Sequence, residues 1–294
     1  MRLSDRFEWG ARTYVMGILN ITPDSFSGDG LRIDDAGAVE RALKQAVDFM
    51  ESGADILDVG GESTRPGATP LSAEDEKRRV LPVIEAIAAE MPAAIVSVDT
   101  FKADVAAAAL ESGAHIVNDV WGLRADPELG PLAAARGAPV ILMHNRSRPS
   151  EVVVDRLGGS YLGPDYDDFL EDVATEMLVL AQGALAAGIP RDQIILDPGI
   201  GFGKTVAQNM TLINRLDRLK ALGYPLLSGP SRKSFIGRVL DLPVDERSEG
   251  TAATVAVSIV RGADIVRVHD TRAMVRVARM TDALLRARPD DADR

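Results

Sequence analysis

The sequence predicts an α/β fold, a single (β/α)8 barrel, on three observations. Eight short apolar runs recur along the 294 residues, each ending abruptly in polar residues or glycines. The segments between them carry helical periodicity. The alternation is strict with short connections, which argues for a parallel sheet. Eight units of about 35 residues argue for closure, and a closed barrel gathers its eight βα loops at one rim. A doubly wound open sheet is the competing architecture on pattern alone.

Taken in order, the run 14–19 ends in NITPDSFSGDG (from Asn20), 56–59 in GGESTRPG (from Gly60), and 94–98 in Asp99-Thr100. The next three end in Asn118-Asp119, His144-Asn145 and DPGIGFGK (from Asp197). The last two end in SGPSRKS (from Ser228) and RVHD (from Arg267). Helix 36–52 stops at Gly53. Helix 72–90 opens with SAEDE, an N-cap serine followed by acids in the first turn. Helix 102–112 stops at Gly113, and helix 126–136 opens on Asp126-Pro127, an N-cap with proline at the first helical position. Helices 167–187, 207–222, 248–261 and 271–286 complete the set. A short strand or hairpin near 7–12 is expected to plug the barrel bottom, and the glycine-rich stretch 157–164 reads as a longer loop after the fifth strand. Residues 1–287 form one domain, with no linker; the charged, apolar-poor 288–294 reads as a disordered tail.

Composition narrows the function. Hydrophobic residues make up 46% and charged residues 26%, ordinary for a soluble globular protein that buries a full core. The chain has no cysteine, which removes disulfides, thiolate metal sites and cysteine nucleophiles. A net charge of −11 repels phosphate backbones, so nucleic acid is not an expected partner. The N-terminus MRLSDRFEWG lacks a signal-peptide core, and no run is long enough to span a membrane. These features lead to the expectation of a soluble cytoplasmic protein.

The chemistry sits at the ends of the runs. The loop from Asn20 to Gly30 makes a turn on any reading; its length and Phe26 weigh function equally against an ordinary loop. In GGESTRPG, glycines let backbone approach a ligand closely, and Arg65 offers a permanent bidentate cation for phosphate or carboxylate. Asp99, Asn118 and Asp197 each follow an apolar run directly. One such aspartate is served equally well by a helix N-cap; three polar side chains on one rim favour a ligand, and carboxylates with an amide suit a heterocycle bearing adjacent N–H donors. SRKS places two cations between hydroxyls, and RVHD sets Arg267 and His269 on one side of a strand. With Arg65 they concentrate positive charge on an acidic protein, which suits an anionic substrate such as a phosphate or diphosphate.

Other chemistries find less support. GIGFGKT is not a phosphate-binding P-loop, because Pro198 stands where the first glycine belongs. His115 lies at the wrong end of its strand and reads as structural, whereas His144 lies at the right rim with no role fixed. Three scattered histidines do not make a zinc site, and no G-x-S-x-G elbow is present.

Together GILNITPDSFSGDG, GGESTRPG, SVDT, HIVND, LDPGIGFGK, SRKS and RVHD occur in the order found in one family, and from Tyr14 to about His269 the chain resembles the dihydropteroate synthases. The resemblance implies a transferase of folate biosynthesis: 4-aminobenzoate displaces pyrophosphate from 6-hydroxymethyl-7,8-dihydropterin diphosphate. It implies that Asp99, Asn118, Asp197 and Lys233 hold the pterin, flanked by Met143 and Arg267. Asn20 would ligate Mg2+, and Thr64, Arg267 and His269 would contact the diphosphate. Phe26, Arg65, Pro66, Phe202 and Ser234 would shape the aminobenzoate pocket, which is also the sulfonamide target. Asp99, Lys233 and Arg267 carry the catalytic assignment. The family also implies a homodimer, for which the alanine- and valine-rich helices 248–261 and 271–286 are the expected interface. One departure is the sequence HNRSRP after the fifth strand, where Arg146 and Arg148 add charge near the pterin rim. A pterin-binding methyltransferase barrel serving a corrinoid protein, and a pterin-binding paralogue without turnover, are the alternatives.

Overall fold

The computed structural model describes residues 1–21, 37–63, 70–147, 152–161 and 165–287. Eight parallel strands form the barrel: β1 (Tyr14–Asn20), β2 (Ile56–Gly60), β3 (Ile95–Asp99), β4 (Ile116–Asp119), β5 (Val140–Met143), β8 (Ile194–Asp197), β9 (Leu227–Ser228) and β10 (Ile265–Val268). Their order is β8-β5-β4-β3-β2-β1-β10-β9. A parallel bridge between Leu196 and Leu226 joins the two ends, so the sheet closes on itself.

Alternation along the strands separates two cores. Leu57, Val59, Val96, Val98, Val117, Leu142 and Val266 pack outward against the helices. Met16, Ile56, Ile95, Ile116, Ile141, Ile195, Leu227 and Ile265 meet inside the barrel, one from every strand. Two residues further along, the inward position is polar on five strands (Asp58, Ser97, Asn118, Asp197 and Arg267), while β1 and β5 place Ile18 and Met143 there. A closed apolar floor thus lies beneath a polar rim, which is what the abrupt ends of the apolar runs express in sequence.

The barrel bottom is plugged by side chains rather than by the expected strand. Residues Leu3–Asp5 form a 3-10 turn, and Leu3 and Phe7 join the inner core. Phe7 stacks on Trp9 at 5.0 Å and meets Tyr14 edge-on at 4.9 Å. Gly10 (φ 87°) reverses the chain there, so these aromatic rings bury themselves without a strand partner.

The outer helices are α1 (Ala38–Glu51), α2 (Ala73–Glu90), α3 (Ala103–Glu111), α4 (Leu129–Arg136), α5 (Phe169–Ala186), α6 (Val206–Asn214), α7 (Leu216–Lys220), α8 (Ser234–Leu240), α9 (Ser248–Val260) and α10 (Thr271–Arg286). Ser72 caps α2 by accepting from Asp75 N, as its sequence announced. Three boundaries differ from expectation. Helix α4 starts at Leu129, because the Asp126 carboxylate accepts from Ala103 N (2.7 Å) and Glu128 N (3.0 Å), so it caps the neighbouring α3 instead. The helix expected over 207–222 breaks at Arg215 (φ −122°, ψ 26°) into α6 and α7. The stretch around Leu157 is not a plain loop: β6 (Val152–Asp155) and β7 (Gly158–Tyr161) make an antiparallel hairpin. No described helix is long and apolar enough to cross a membrane. The tail 288–294 lies outside the described residues.

Candidate active site

Arg267 is the centre of the rim. Its Nε donates to Asp58 Oδ2 at 2.6 Å and its Nη2 to Asp99 Oδ2 at 2.7 Å. Asn118 Nδ2 donates to the same Asp58 oxygen at 3.1 Å. Strands β2, β3, β4 and β10 thereby converge on one buried cluster. Asp58 is wholly buried, and its Oδ1 and the Oγ of Ser97, opposite it in register, have no hydrogen-bond partner among the described residues. Burial pushes the Asp99 carboxyl up to about 7, against the pull of Arg267, with Asp58, Glu76 and Asp119 adding to the rise. Such a carboxylate is short of donors and suits a ligand that brings them.

The second half of the rim comes from β8 and β9. Burial raises Asp197 as well; the Gly199 N–H at 2.7 Å, Lys233, Arg267 and Lys204 oppose that rise. The loop that follows is shaped by glycines. Gly199 has φ 69°, and a Cβ there would collide with His144 O; a Cβ on Gly201 (φ 79°) would sit 2.7 Å from Lys233 Cδ. Lys233 lies across this loop with Nζ 3.9 Å from the Phe202 ring centroid, a cation–π contact. Replacing Gly199 by alanine is expected to destabilise the fold by more than about 3 kcal/mol through this collision and the left-handed φ. An unchanged denaturation midpoint would contradict that.

Beneath the loop lies a buried polar chain that the sequence did not disclose. Lys204 Nζ donates to Gly199 O and Phe202 O, each 3.0 Å away, and lies 3.0 Å from His144 Nδ1. His144 Nε2 is 3.0 Å from Glu176 Oε2. Burial drives His144 down to about 4 and Lys204 down to about 7. The imidazole is therefore neutral near pH 7 and braces the loop that carries Asp197. Arg146 pairs with Glu176 and stacks over Tyr166 at 4.2 Å, which spends its charge at α5 rather than at the expected pterin rim; Arg148 lies outside the described residues. His115 serves structure, as expected: its Nδ1 accepts from Val96 N.

The expected site residues divide clearly. Asp99, Asn118, Asp197, Lys233 and Arg267 are brought together, and Met143 sits buried opposite Asp197 in the β5–β8 register. His269 bonds through its N–H to Ser231 Oγ (3.2 Å), joining the β9 and β10 loops. Asn20 ends β1 at the rim, in register with Gly60. Ser234 opens α8, and its Oγ donates to Gly159 O of the hairpin at 2.5 Å. Phe26, Thr64, Arg65 and Pro66 lie outside the described residues. Asp58 escaped the sequence reading because it lies inside an apolar run. Its spacing from Ile56 and Gly60 carries the signal, since all three point into the barrel. Asp119, by contrast, accepts from Trp121 N and Leu123 N and shapes a turn.

Residues 16–269 match the family described as pterin binding enzyme. A dihydropteroate synthase of Bacillus subtilis is 47% identical over 274 residues, covering 93% of this chain and 89% of that protein. The chain belongs to the dihydropteroate synthase family. Two solved members of that family share its fold. The Clostridium difficile synthase, crystallised in the presence of pteroic acid, superposes with a TM-score of 0.85 at 45% identity, covering 96% of this chain and all of that one. The Xanthomonas albilineans synthase with 4-aminobenzoic acid gives 0.84 at 40% identity, covering 94% of each chain. The barrel expected from sequence is the fold of these synthases.

Proposed function

We propose that this chain condenses 6-hydroxymethyl-7,8-dihydropterin diphosphate with 4-aminobenzoate to give 7,8-dihydropteroate and pyrophosphate. The observation that carries the reading is the clustering of Asp58, Asp99, Asn118, Asp197, Lys233 and Arg267 above an apolar floor, within a chain of this family. The Asp197 carboxylate accepts from the adjacent ring N–H groups of the pterin, which supply the donors that burial denies it. Lys233 donates to a ring acceptor, and Met143 and Arg267 flank the ring plane.

Departure of pyrophosphate leaves a methylene cation conjugated with the pterin. Asp99 stabilises it electrostatically, and the developing positive charge draws the carboxyl back toward its ionised form. Arg267, His269 and Thr64 hold the diphosphate. The aniline nitrogen of 4-aminobenzoate, neutral near pH 7, attacks the methylene carbon without a strong base; the new C–N bond replaces the C–O bond to pyrophosphate, and the ammonium formed gives its extra proton to solvent or the released pyrophosphate. Phe26, Arg65, Pro66, Phe202 and Ser234 contribute to the aminobenzoate pocket.

Asn20 is the residue that would hold Mg2+. Among the described residues no three of His, Cys, Asp and Glu gather as a metal cage. A single neutral amide oxygen at the rim fits an ion that takes its other ligands from phosphate oxygens and water. An Mg2+ ion held by Asn20 would supply charge neutralisation for the leaving pyrophosphate. The reading also includes a cytoplasmic enzyme and a homodimer. Exposed Val257 and Val260 on α9 and Met280 and Leu284 on α10 support the latter.

Incubation of the purified protein with both substrates and Mg2+ is expected to yield dihydropteroate; no product would overturn the reading. Lys233→Ala and Asp197→Asn are expected to weaken pterin binding by about 10-fold or more each. Changes at Phe26 or Pro66 should chiefly alter aminobenzoate and sulfonamide affinity. Titration calorimetry with each ligand separates the two groups, and equal effects on both ligands from every variant would contradict the division.

A further inference from the structure

Arg247 is a buried cation with no place in the chemistry above. It lies between the 3-10 turn Val244–Glu246 and α9 and is 3% exposed. Its Nη1 donates to Arg232 O at 3.0 Å and its Nη2 to Leu157 O at 3.0 Å; Nε and Nη2 both reach Leu242 O at 3.1 Å. One planar fork thus ties together the turn before Lys233, the tip of the β6–β7 hairpin and the end of α8. Burial lowers the guanidinium from its ordinary value, Arg238 adds to that, and Asp245 opposes it. A buried charge is costly unless hydrogen-bonded. Here backbone carbonyls from three segments meet the requirement, so what the cation fixes is main-chain geometry.

That geometry matters at Arg232. Its φ of 55° is left-handed, a conformation strained for a residue with a side chain, which persists only when its surroundings enforce it. Both of its peptide groups are held: Arg232 N donates to Thr251 Oγ1 at 3.0 Å, and Arg232 O accepts from Arg247. The next residue is Lys233, which N-caps α8, followed by Ser234. The hairpin packs on the same helix. Ser234 Oγ donates to Gly159 O, and Arg238 donates to Gly158 O (3.0 Å) and to both Asp155 oxygens (3.0 and 3.1 Å). A Cβ on Gly237 would collide with the Arg247 guanidinium, so α8 is cut to receive it.

We propose that Arg247, seconded by Thr251, is a positioning residue for Lys233 and Ser234. It holds the strained turn that aims them and couples that turn to the hairpin. The role in catalysis rests on the site reading above; the role in holding the turn does not.

Arg247→Lys keeps the charge, but one ammonium cannot span three carbonyls. Amide exchange is expected to quicken at 231–234 and 157–159 while the barrel strands stay protected; unchanged exchange there would overturn the proposal whatever the activity. The second measurement is a double-mutant cycle with Lys233→Ala. In the parent background Arg247→Lys should lower kcat/KM for the pterin substrate about 10-fold or more. With Lys233 already replaced, the further loss in kcat/KM for the pterin substrate should be less than about twofold, because the pterin-binding residue it positions is gone and Ser234 serves the aminobenzoate pocket. Equal losses in both backgrounds would show a merely structural effect and overturn the positioning role in catalysis. A Lys233→Ala protein with full activity would instead strike at the site reading, and exchange would still decide what Arg247 holds. Should Arg247→Lys not fold, Thr251→Val carries the same two measurements, with faster exchange and the same non-additivity expected.

Discussion

Arg267→Met is expected to remove turnover and to destabilise the fold together. The side chain bridges Asp58, which is wholly buried, and Asp99. Removing it leaves two neighbouring carboxylates in a low-dielectric rim without their cation. Breaking a buried pair in this way costs about 3–5 kcal/mol. The variant also loses the charge proposed to contact the diphosphate, so kcat should fall by about 10²–10³-fold. Arg267→Lys is expected to recover little of this, because an ammonium cannot send separate donors to both carboxylates in the same geometry. Chemical denaturation and steady-state kinetics check the two losses. A variant that keeps its stability but loses activity would show that the ion-pair cluster is not structural; one that keeps both would remove Arg267 from the site.

Asp99→Asn separates the same two roles by pH. The folded protein holds this carboxyl at about 7, above its ordinary value near 3.8, chiefly through burial. A group raised on folding binds its proton more tightly in the native state. Its contribution to stability is therefore full below about pH 4 and is lost as pH rises through about 7. Asparagine carries no such penalty. The stability of the variant relative to the parent should accordingly rise from pH 5 to pH 8, while activity falls by about 10²-fold or more for want of the carboxylate. Comparing the two proteins at each pH cancels other titrations, including that of His144, which runs in the opposite direction because its pKa is lowered. A relative stability that stays flat or falls over this range would mean that Asp99 is ionised throughout, with Arg267 outweighing burial.

The same physical asymmetry explains what could be read from the sequence. Barrel strands are buried on both faces and stop at a polar rim, so runs such as Ile194–Asp197 carry both the strand and its functional end in four letters. Residues at the ends, among them Asp99, Asn118 and Asp197, were legible for that reason. Asp58 was not, because attention to run ends passes over a carboxylate inside ILDVG, although period-two alternation points it into the barrel. Lys204, Arg247 and Glu176 were hidden differently. Their partners are backbone carbonyls or side chains up to 90 residues away, and no local pattern announces such a contact. Gly158-Gly159 gives the hairpin the look of a loop in sequence, because the glycines mask a strand that pairs with Val152–Asp155.

In the proposed reaction a cluster of carboxylates, an amide and two cations at the mouth of a closed barrel grips a pterin while its diphosphate departs. A crystal structure of the protein with 6-hydroxymethyl-7,8-dihydropterin diphosphate bound tests it most directly. The ring edge is expected on Asp197 and Asn118, its plane between Met143 and Arg267, and the diphosphate toward His269. A ring bound elsewhere, with the Asp58–Arg267–Asp99 cluster untouched, would contradict it.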